Sequence, residues 1–553
     1  MSGIELRLLS SLAKVFPRKA PPTRPEQEWL SALRGENVSF QAAYKQFEGG
    51  LIWACLKVEV PDDIDVTIRR VRYMPGNIPP RFKTDDGYIC TEDGLYPDLL
   101  EPLERGNDWL HVLSGTWQSL WIDLRVKPAA KPGKHSIRVD ILSKTGQVLS
   151  SAETTIEIIA ADLPALSIPR TMWFHADCLA QYYGVETFSE RHWEIIENFA
   201  ACSVQHGINT LLTPIHTPPL DTEIGGERPT TQLIDVTVTD TGYTFCFEKL
   251  QRWVAMCKRI GVKYYEMAHL FTQWGAKHAP KIMATKNGEY VQIFGWETDA
   301  LGGEYAGYLN QMLPALITKL REWGIAENTI FHISDEPNLS HMEAYVAVRK
   351  IVEPLLEGFK IIDAITQIEY YKQRAIPVPV VALDGIEPFF EEDIPELWGY
   401  YCCVQSYKVP NHFFMQPSYR NRILGVLMYK YNIAGFLHWG FNFYNCVHSV
   451  YPIDPMRVTD ADGTFPSGDA FIVYPGKEGK PLVSLRLMVA QEAFNDYSAL
   501  KMLEGLIGRE ATLQMVDEGL RSPITFSCFP KNEEYLLKLR ARVNQEIGRQ
   551  YHK

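Results

Sequence analysis

The residues of this sequence best equipped for chemistry are two adjacent carboxylates, Asp335 and Glu336, in the run Phe331-His-Ile-Ser-Asp-Glu-Pro337. Carboxyls side by side raise each other's proton affinity and burial adds to the effect, so one of them stays protonated near neutrality. A proton donor beside a permanent anion is what cleavage of an acetal requires. Side chains of an extended chain alternate in direction, so the pair is expected to share one pocket and address different atoms. Asp-Glu-Pro-Asn is also a good first turn of a helix, with acids at the N-terminus and Pro at the first position. The two readings are compatible.

The composition narrows the partners. Acidic residues outnumber basic ones 67 to 55, a net charge of −12, and no Lys/Arg-rich run is present. A phosphate backbone needs a positive field, so nucleic acid is excluded as a partner. No apolar stretch of about 18 residues is present to span a membrane. The opening residues carry charges where a secretory leader has an unbroken apolar run, which predicts a cytoplasmic protein. Ten cysteines, scattered apart from Cys402-Cys403, form neither a disulfide framework nor a CxxC pair, and no HExxH is present. Asp460-Ala-Asp462-Gly463 lacks the later ligands of a calcium loop and reads as a polar turn. No phosphate-cradling glycine loop follows a strand. Neither a metal nor another cofactor is expected. Aromatic residues reach 12%, with 13 Trp and 27 Tyr. Rings with a polar handle suit a sugar cleft, apolar on one side and wet on the other, and equally a large aromatic core.

The elements that must position these groups follow from periodicity. Residues 1–25 read as a poorly ordered lead-in ending in Pro21-Pro22-Thr-Arg-Pro25. Residues 26–165 carry short alternating runs, Val38–Tyr44, Leu51–Val60, Val66–Tyr73, Ser119–Val126, His135–Leu142 and Glu153–Ile159, separated by Pro/Gly turns. Two packed antiparallel sheets, a β-sandwich, are the expected solution. From residue 166 to 508, eight apolar runs alternate with amphipathic helical segments. The runs are Thr171–Asp177, Asn209–Pro214, Val262–Leu270, Thr329–Ser334, Lys360–Ile365, Val378–Leu383, Tyr400–Gln405 and Gly435–Phe443. Eight βα units predict an α/β fold, a (β/α)8 TIM barrel. Two of its connections are long: 216–247, with a hairpin around Asp240-Thr-Gly242, and 271–305, rich in aromatics. Residues 509–553 read as a helical appendage, placed by position alone for a homodimer contact or a cap on the barrel bottom.

Barrel enzymes take their working residues from the C-terminal ends of strands. Those positions hold His175 and Asp177, His216, Glu266 and His269, the Asp335–Glu336 pair, Asp363, Asp384, Gln405 and Tyr407, and His438, Trp439 and Asn442. His175, Asp177, His216 and His269 are candidate hydroxyl binders, each also readable as a satisfied core group, and Asn442 is a candidate substrate-binding residue. Trp439 and His438 are consecutive, so at most one faces the cavity. Trp274 and Trp296, on the long loop, are placed either to close over a sugar or to fill the loop's own core.

At this level the sequence resembles glycoside hydrolase family 123 and the related domain of unknown function 4091. The resemblance rests on Phe331-His-Ile-Ser-Asp-Glu-Pro337, Gly435-Phe-Leu-His-Trp-Gly440, Phe465-Pro-Ser-Gly-Asp-Ala-Phe-Ile-Val-Tyr-Pro-Gly476, Ser484-Leu-Arg486 with Asp496-Tyr497, and Arg34-Gly-Glu36 with Ser39-Phe-Gln41. It spans roughly residues 30–505, and the proline–glycine motif 466–476 is its most specific piece. It implies a retaining exo-acting β-N-acetylgalactosaminidase in which the substrate's own 2-acetamido oxygen is the nucleophile. By position Asp335 then orients the acetamido N–H and Glu336 serves as general acid and base, while a tyrosine, Tyr407, donates to the acetamido oxygen and Trp439 walls the sugar. The expected partner is a small glycoside or oligosaccharide. Two alternatives stay open: a glycosidase of a sugar without the acetamido group, with Asp384 or Asp177 as nucleophile, and a non-catalytic carbohydrate-binding protein.

Overall fold

The computed structural model describes residues 3–22, 30–47, 49, 52–103 and 109–551, and the chain forms two compact units. The first comprises residues 1–167, 406–431 and 482–553; the second, 168–405 and 432–481.

Two five-stranded sheets build the first unit. One has the order Ile4–Ser10, Asn37–Gln46, Gln118–Val126, Ile64–Gly76, Gly94–Pro102, with every neighbour antiparallel. The other runs Leu30–Arg34, Val148–Asp162, Gly133–Ser143, Ile52–Glu59, Trp109–Val112, where only Leu30–Arg34 pairs in parallel. Both sheets feed one apolar core that includes Phe40, Ile122, Leu124, Val139 and Ile156. The lead-in expected at residues 1–25 is instead partly strand. Ile4, Leu6 and Leu8 alternate onto that core, while Leu9 and Val15 pack with Ala43 and Trp117. Glu5 and Arg7 occupy the positions between Ile4, Leu6 and Leu8, so the run carries the two-residue period of a strand. Pro25 lies outside the described residues.

The boundaries also differ from those read off the sequence, because helix Ser418–Lys430 and residues 482–508 pack with the first unit. Helix Ser418–Lys430 lies so close to helix Leu485–Ile507 that a Cβ at Gly425 would overlap the Ala493 carbonyl. Buried ion pairs then join segments remote in sequence. Arg422 holds Asp496 and Glu492 (both 2.8 Å), and Arg540 of helix Glu533–Tyr551 reaches Asp496 (2.9 Å) and Glu36 (2.6 Å). The expected appendage is thus part of the first unit's core.

The second unit is built on a closed, all-parallel barrel of eight strands. They are β1 (Arg170–Met172), β2 (Thr210–Thr213), β3 (Tyr264–Met267), β4 (Thr329–Phe331), β5 (Lys360–Ile365), β6 (Val378–Ala382), β7 (Trp398–Tyr400) and β8 (Gly435–His438). All eight fall on or beside the expected runs, and several are shorter, because the apolar sequence continues into buried segments beyond the strand ends. Barrel-core residues recur two apart, as in Ile362/Ala364, Val380/Ala382 and Trp398/Tyr400, the period of a pleated strand. The two long connections form hairpins, Asp235–Thr239 with Gly242–Cys246 and Ile282–Lys286 with Glu289–Phe294, and these join in one four-stranded sheet. No helix among the described residues is long and apolar enough to cross a membrane.

Gly425→Ala is expected to cost about 1–3 kcal/mol, since backbone must shift to admit the methyl group. Gly505→Ala, in the same helix pair but with open space around it, is expected to gain roughly 0.5–1 kcal/mol from helix propensity. Denaturant unfolding of the two variants beside the parent protein checks both signs.

Candidate active site

Three neighbouring strands supply the foundation of the site. Glu266 on β3 is buried and accepts hydrogen bonds from Trp173 Nε1 (2.9 Å), from Thr171 of β1, and from His332 Nε2 (2.7 Å) just past β4. The other nitrogen of His332 faces Asp363 on β5 at 3.4 Å. Asp363 in turn accepts from the backbone N–H of Ile333 (3.0 Å) and Ser334 (3.2 Å) and from Tyr345. Burial disfavours a charged imidazole, yet hydrogen bonds and charge from Asp363 and Glu266 outweigh it and push His332 up to about 9. The ring is therefore an imidazolium clamped between two carboxylates. His269, His332 and Asp363 are close enough to offer three metal ligands. His332 Nε2, however, is bonded to Glu266 and Nδ1 lies within ion-pair distance of Asp363, so the group reads as an ion-paired network.

On this network sits the turn bearing the carboxylate pair. Asp363 grips its start through the Ile333 and Ser334 amides; the Ser334 hydroxyl donates to the Thr272 carbonyl (2.8 Å), and the Asp335 carbonyl accepts from Trp274 N–H (3.0 Å). β4 ends at Phe331, so strand alternation does not separate the two carboxylates. Glu336 instead has φ of +43°, directly before Pro337. A left-handed, non-glycine residue is strained, and such strain persists only where the surroundings over-determine it. Nor do the two acids open a helix: Asn338 caps the 3-10 turn Leu339–His341, and helix Met342–Val352 follows.

Burial raises the Asp335 carboxyl well above its ordinary range, and the charge of Glu336 raises it further. Burial also raises Glu336, against a hydrogen bond donated by Tyr400 at the end of β7 (2.6 Å) that favours its anion. Asp384 and Asp469 push Glu336 up as well. The pair thus titrates as one unit that holds a proton above the normal carboxylate range.

Trp439 packs against the barrel core beside Phe443 and Phe465, and its indole N–H donates to Asp469 (3.0 Å). His438 packs against Tyr401 and also reaches Asp469, at 3.5 Å, so one buried carboxylate serves both rings. The segment 465–476 delivers Asp469 by pairing with the chain beyond β8. Phe443 N–H donates to the Ala470 carbonyl (3.2 Å) and Ile472 N–H to the Phe441 carbonyl (3.0 Å). The approach is so close that a Cβ at Gly440 would overlap the Ala470 carbonyl.

Among the remaining candidates, Asp177, His175 and Asn442 have their polar atoms committed, whereas both ring nitrogens of His269 are buried without a hydrogen-bond partner. Asp177 is held by both Arg228 Nε and Nη2 (2.8 Å each); burial would raise its carboxyl, but the guanidinium wins and holds it low. His175 bonds the Trp439 carbonyl (2.9 Å) and Arg228 (3.2 Å), and burial with that cation depresses it to about 3. Asn442 spends its amide on the His175 backbone, 3.0 Å in each direction. His216 bonds the His269 carbonyl (2.6 Å) and is lowered by burial to about 3. His269 stacks on His332, ring centroids 4.3 Å apart, and burial holds it well below its usual range. Asp384 is exposed and accepts from Gln405 (2.9 Å). Trp274 is exposed, its ring edge-on to His448. Tyr407 belongs to the first unit and is exposed, its ring beneath the Lys408 ammonium. The tyrosine that touches the carboxylate pair is Tyr400. Sequence reasoning passed over Tyr400, His332 and Arg228. Tyr400 and His332 sit at strand ends and were open to the same positional filter, whereas Arg228 lies deep in a long loop and carries no such signal.

The model of the family described as glycoside hydrolase 123, catalytic domain, matches residues 173–503. The chain belongs to glycoside hydrolase family 123. It is a glycoside hydrolase by that membership, and barrel strands β2 to β8 with the carboxylate turn lie inside the matched region. A solved family 123 glycoside hydrolase from Clostridium perfringens, described in terms of glycolipid glycan hydrolysis, shares the fold: TM-score 0.72 at 14% identity, covering 99% of this chain and 97% of the other. A β-galacturonidase from Eisenbergiella tayi gives a TM-score of 0.32 at 11% identity, covering 89% of this chain and 72% of its own. A β-glucuronidase from Parabacteroides merdae gives 0.29 at 10%, covering 90% and 51%. No curated protein matches the chain.

A group whose affinity for protons is raised on folding stabilises the fold below its unfolded value and loses that contribution as pH climbs through the folded one. For His332 the window runs from 6.5 to about 9. Wild-type stability is expected to fall by on the order of 3 kcal/mol across that window. His332→Gln is expected to be less stable at pH 6 and to lose less stability than wild type from there to pH 9, as read by urea unfolding at stepped pH.

Proposed function

We propose that this glycoside hydrolase is an exo-acting, retaining enzyme that removes a β-linked N-acetylhexosamine, N-acetylgalactosamine by preference, through an oxazoline formed by the substrate itself. The observation that supports the reading is the strained turn that sets Asp335 and Glu336 side by side, with the Tyr400 hydroxyl on Glu336. In this reading the substrate's acetamido oxygen attacks the anomeric carbon while Glu336 protonates the departing oxygen. Asp335 accepts the acetamido N–H and balances the oxazolinium charge, and Glu336, now anionic, takes a proton from the water that opens the ring. Asp177 is a poor enzyme nucleophile because Arg228 occupies both of its oxygens, which favours the substrate-supplied one.

Tyr407 is retained as the proposed donor to the acetamido oxygen and Trp439 as a wall of the sugar site. Hydroxyl contacts by His175, Asp177, His216 and His269, a substrate contact by Asn442 and closure over the substrate by Trp274 belong to the same proposal. Helices separate most successive strands of the closed barrel, which supports a (β/α)8 barrel, and the two sheets sharing one core support a β-sandwich before it. Glycolipid glycans, the context of the Clostridium perfringens relative, are the substrate class we infer.

With matched p-nitrophenyl β-GalNAc, β-GlcNAc and β-galactose glycosides, release is expected from acetamido sugars alone. Glu336→Gln is expected to lower kcat by about 10²–10⁴-fold. Release from the galactoside would overturn substrate assistance. Tyr400→Phe removes a hydrogen bond that favours the Glu336 anion, so the alkaline limb of its kcat/KM profile is expected to move to higher pH, by on the order of one unit.

A further inference from the structure

Cys402 and Cys403, the one adjacent cysteine pair of the sequence, follow shortly after Tyr400, the residue that donates to Glu336. Both side chains are half-buried, and Cys402 packs against the barrel-core cluster that includes Trp398 and Tyr400. The Gln405 side chain closes the turn that carries them. Its Oε1 accepts from the Cys402 N–H (2.9 Å) and lies 3.2 Å from Cys402 Sγ, while its Nε2 donates to Asp384 (2.9 Å). The Gln405 N–H donates to the Cys402 carbonyl (3.3 Å).

The two thiols are also hydrogen-bonded to each other. That bond holds the Cys402 thiol well above its ordinary range, and burial, charge on Cys403 and the Glu336 and Asp469 carboxylates add to the effect. Cys402 therefore keeps its proton, and Cys403 is the sulfur that meets an electrophile first. A bond between consecutive cysteines closes a small ring. Their Cα atoms are about 3.8 Å apart across a trans peptide, inside the roughly 4.4 Å lower limit of ordinary disulfides. Such a bridge is strained and easily reduced, as labile and regulatory disulfides are.

We propose that Cys402 and Cys403 form a reversible oxidation site, closed by hydrogen peroxide and opened by dithiols, whose disulfide form turns hydrolysis down. The Cys403 sulfur attacks one peroxide oxygen and the O–O bond breaks; the other oxygen leaves as water, and Cys403 becomes a sulfenic acid. The Cys402 sulfur then attacks the Cys403 sulfur. The S–S bond forms, the S–O bond breaks, and a second water leaves with the Cys402 proton. The dithiol has lost two electrons and two protons, and the peroxide is reduced to two waters. Closing the ring draws Cys402 Sγ off Gln405 and twists the chain just past Tyr400, which displaces the hydroxyl that serves Glu336. The effect on turnover rests on Glu336 acting as the proposed acid, whereas the oxidation rests on the cysteine pair alone.

The test treats the full-length protein with hydrogen peroxide, blocks the remaining thiols and reads the digest by mass spectrometry. The peptide holding both cysteines is expected to lose the mass of two hydrogens and to regain it with dithiothreitol. The amides of Cys402 and Gln405 are expected to exchange with deuterium faster in the oxidised form. Hydrolysis of the p-nitrophenyl acetamido glycosides is expected to fall about tenfold and to recover with dithiothreitol. Cys403→Ser is expected to match wild type before peroxide and to lose no activity after it. A pair that stays reduced, or a loss that Cys403→Ser shares, overturns the site; unchanged turnover with the disulfide in place overturns the regulation. If the wild type cleaves no acetamido sugar, the proposed reaction falls, while the mass and exchange readings still uphold or overturn the oxidation site. Cys402→Ala, which leaves Cys403 without a resolving thiol, is expected to stop at a sulfenic acid trapped by dimedone. It keeps the test open if Cys403→Ser does not fold.

Discussion

The site hangs on a charge kept where charge is expensive: the His332 imidazolium between Glu266 and Asp363 inside a closed barrel. Buried ions are tolerated only when paired and when their remaining hydrogen-bonding capacity is met. Here Thr171, Trp173, Tyr345 and two backbone amides serve the two carboxylates. The same bonds that stabilise the network fix the backbone at Ile333 and Ser334, immediately before the carboxylate pair. The barrel thereby converts an electrostatic requirement into a geometric one. Moving Asp335 and Glu336 would require unmaking a buried ion triad.

Strain and electrostatics point the same way at Glu336. Its left-handed backbone turns the side chain toward Tyr400 on β7, three strands away from β4 around the barrel. Two neighbouring carboxylates and burial raise its proton affinity while the tyrosine restrains that rise. In the proposed reaction Glu336 gives a proton and later takes one back, and opposing influences on one carboxyl suit both steps. Around it, Arg228 and Asp469 act as cross-links. Arg228 ties a long loop to Asp177 and His175, and Asp469 receives both Trp439 and His438.

Much of this was legible from residue types and spacing. The eight apolar runs lie on or beside the eight barrel strands, the Asp240-Thr-Gly242 turn joins a hairpin, and the carboxylate pair follows β4. Each is a local signal, a period or a turn residue, which the chain carries whatever it later packs against. The strand Ile4–Ser10 carries the same kind of local period, with Glu5 and Arg7 between its apolar residues, and helix Ser418–Lys430 was assigned to the barrel because chain order says nothing about which face a helix buries.

What the sequence by itself determined is the set of elements, the family motif and the identity of the two acids, all encoded within a few residues of one another. What only the tertiary structure decided is which groups meet those acids. Tyr400 lies 64 residues from Glu336 and Glu266 lies 66 from His332. Barrel closure brings them within hydrogen-bond reach, and neither spacing has a period that a linear reading detects. The physical reason is range: backbone preference and hydrophobic period act over a few residues, whereas charge pairing in a low-dielectric core acts through space and is set only once the strands have closed.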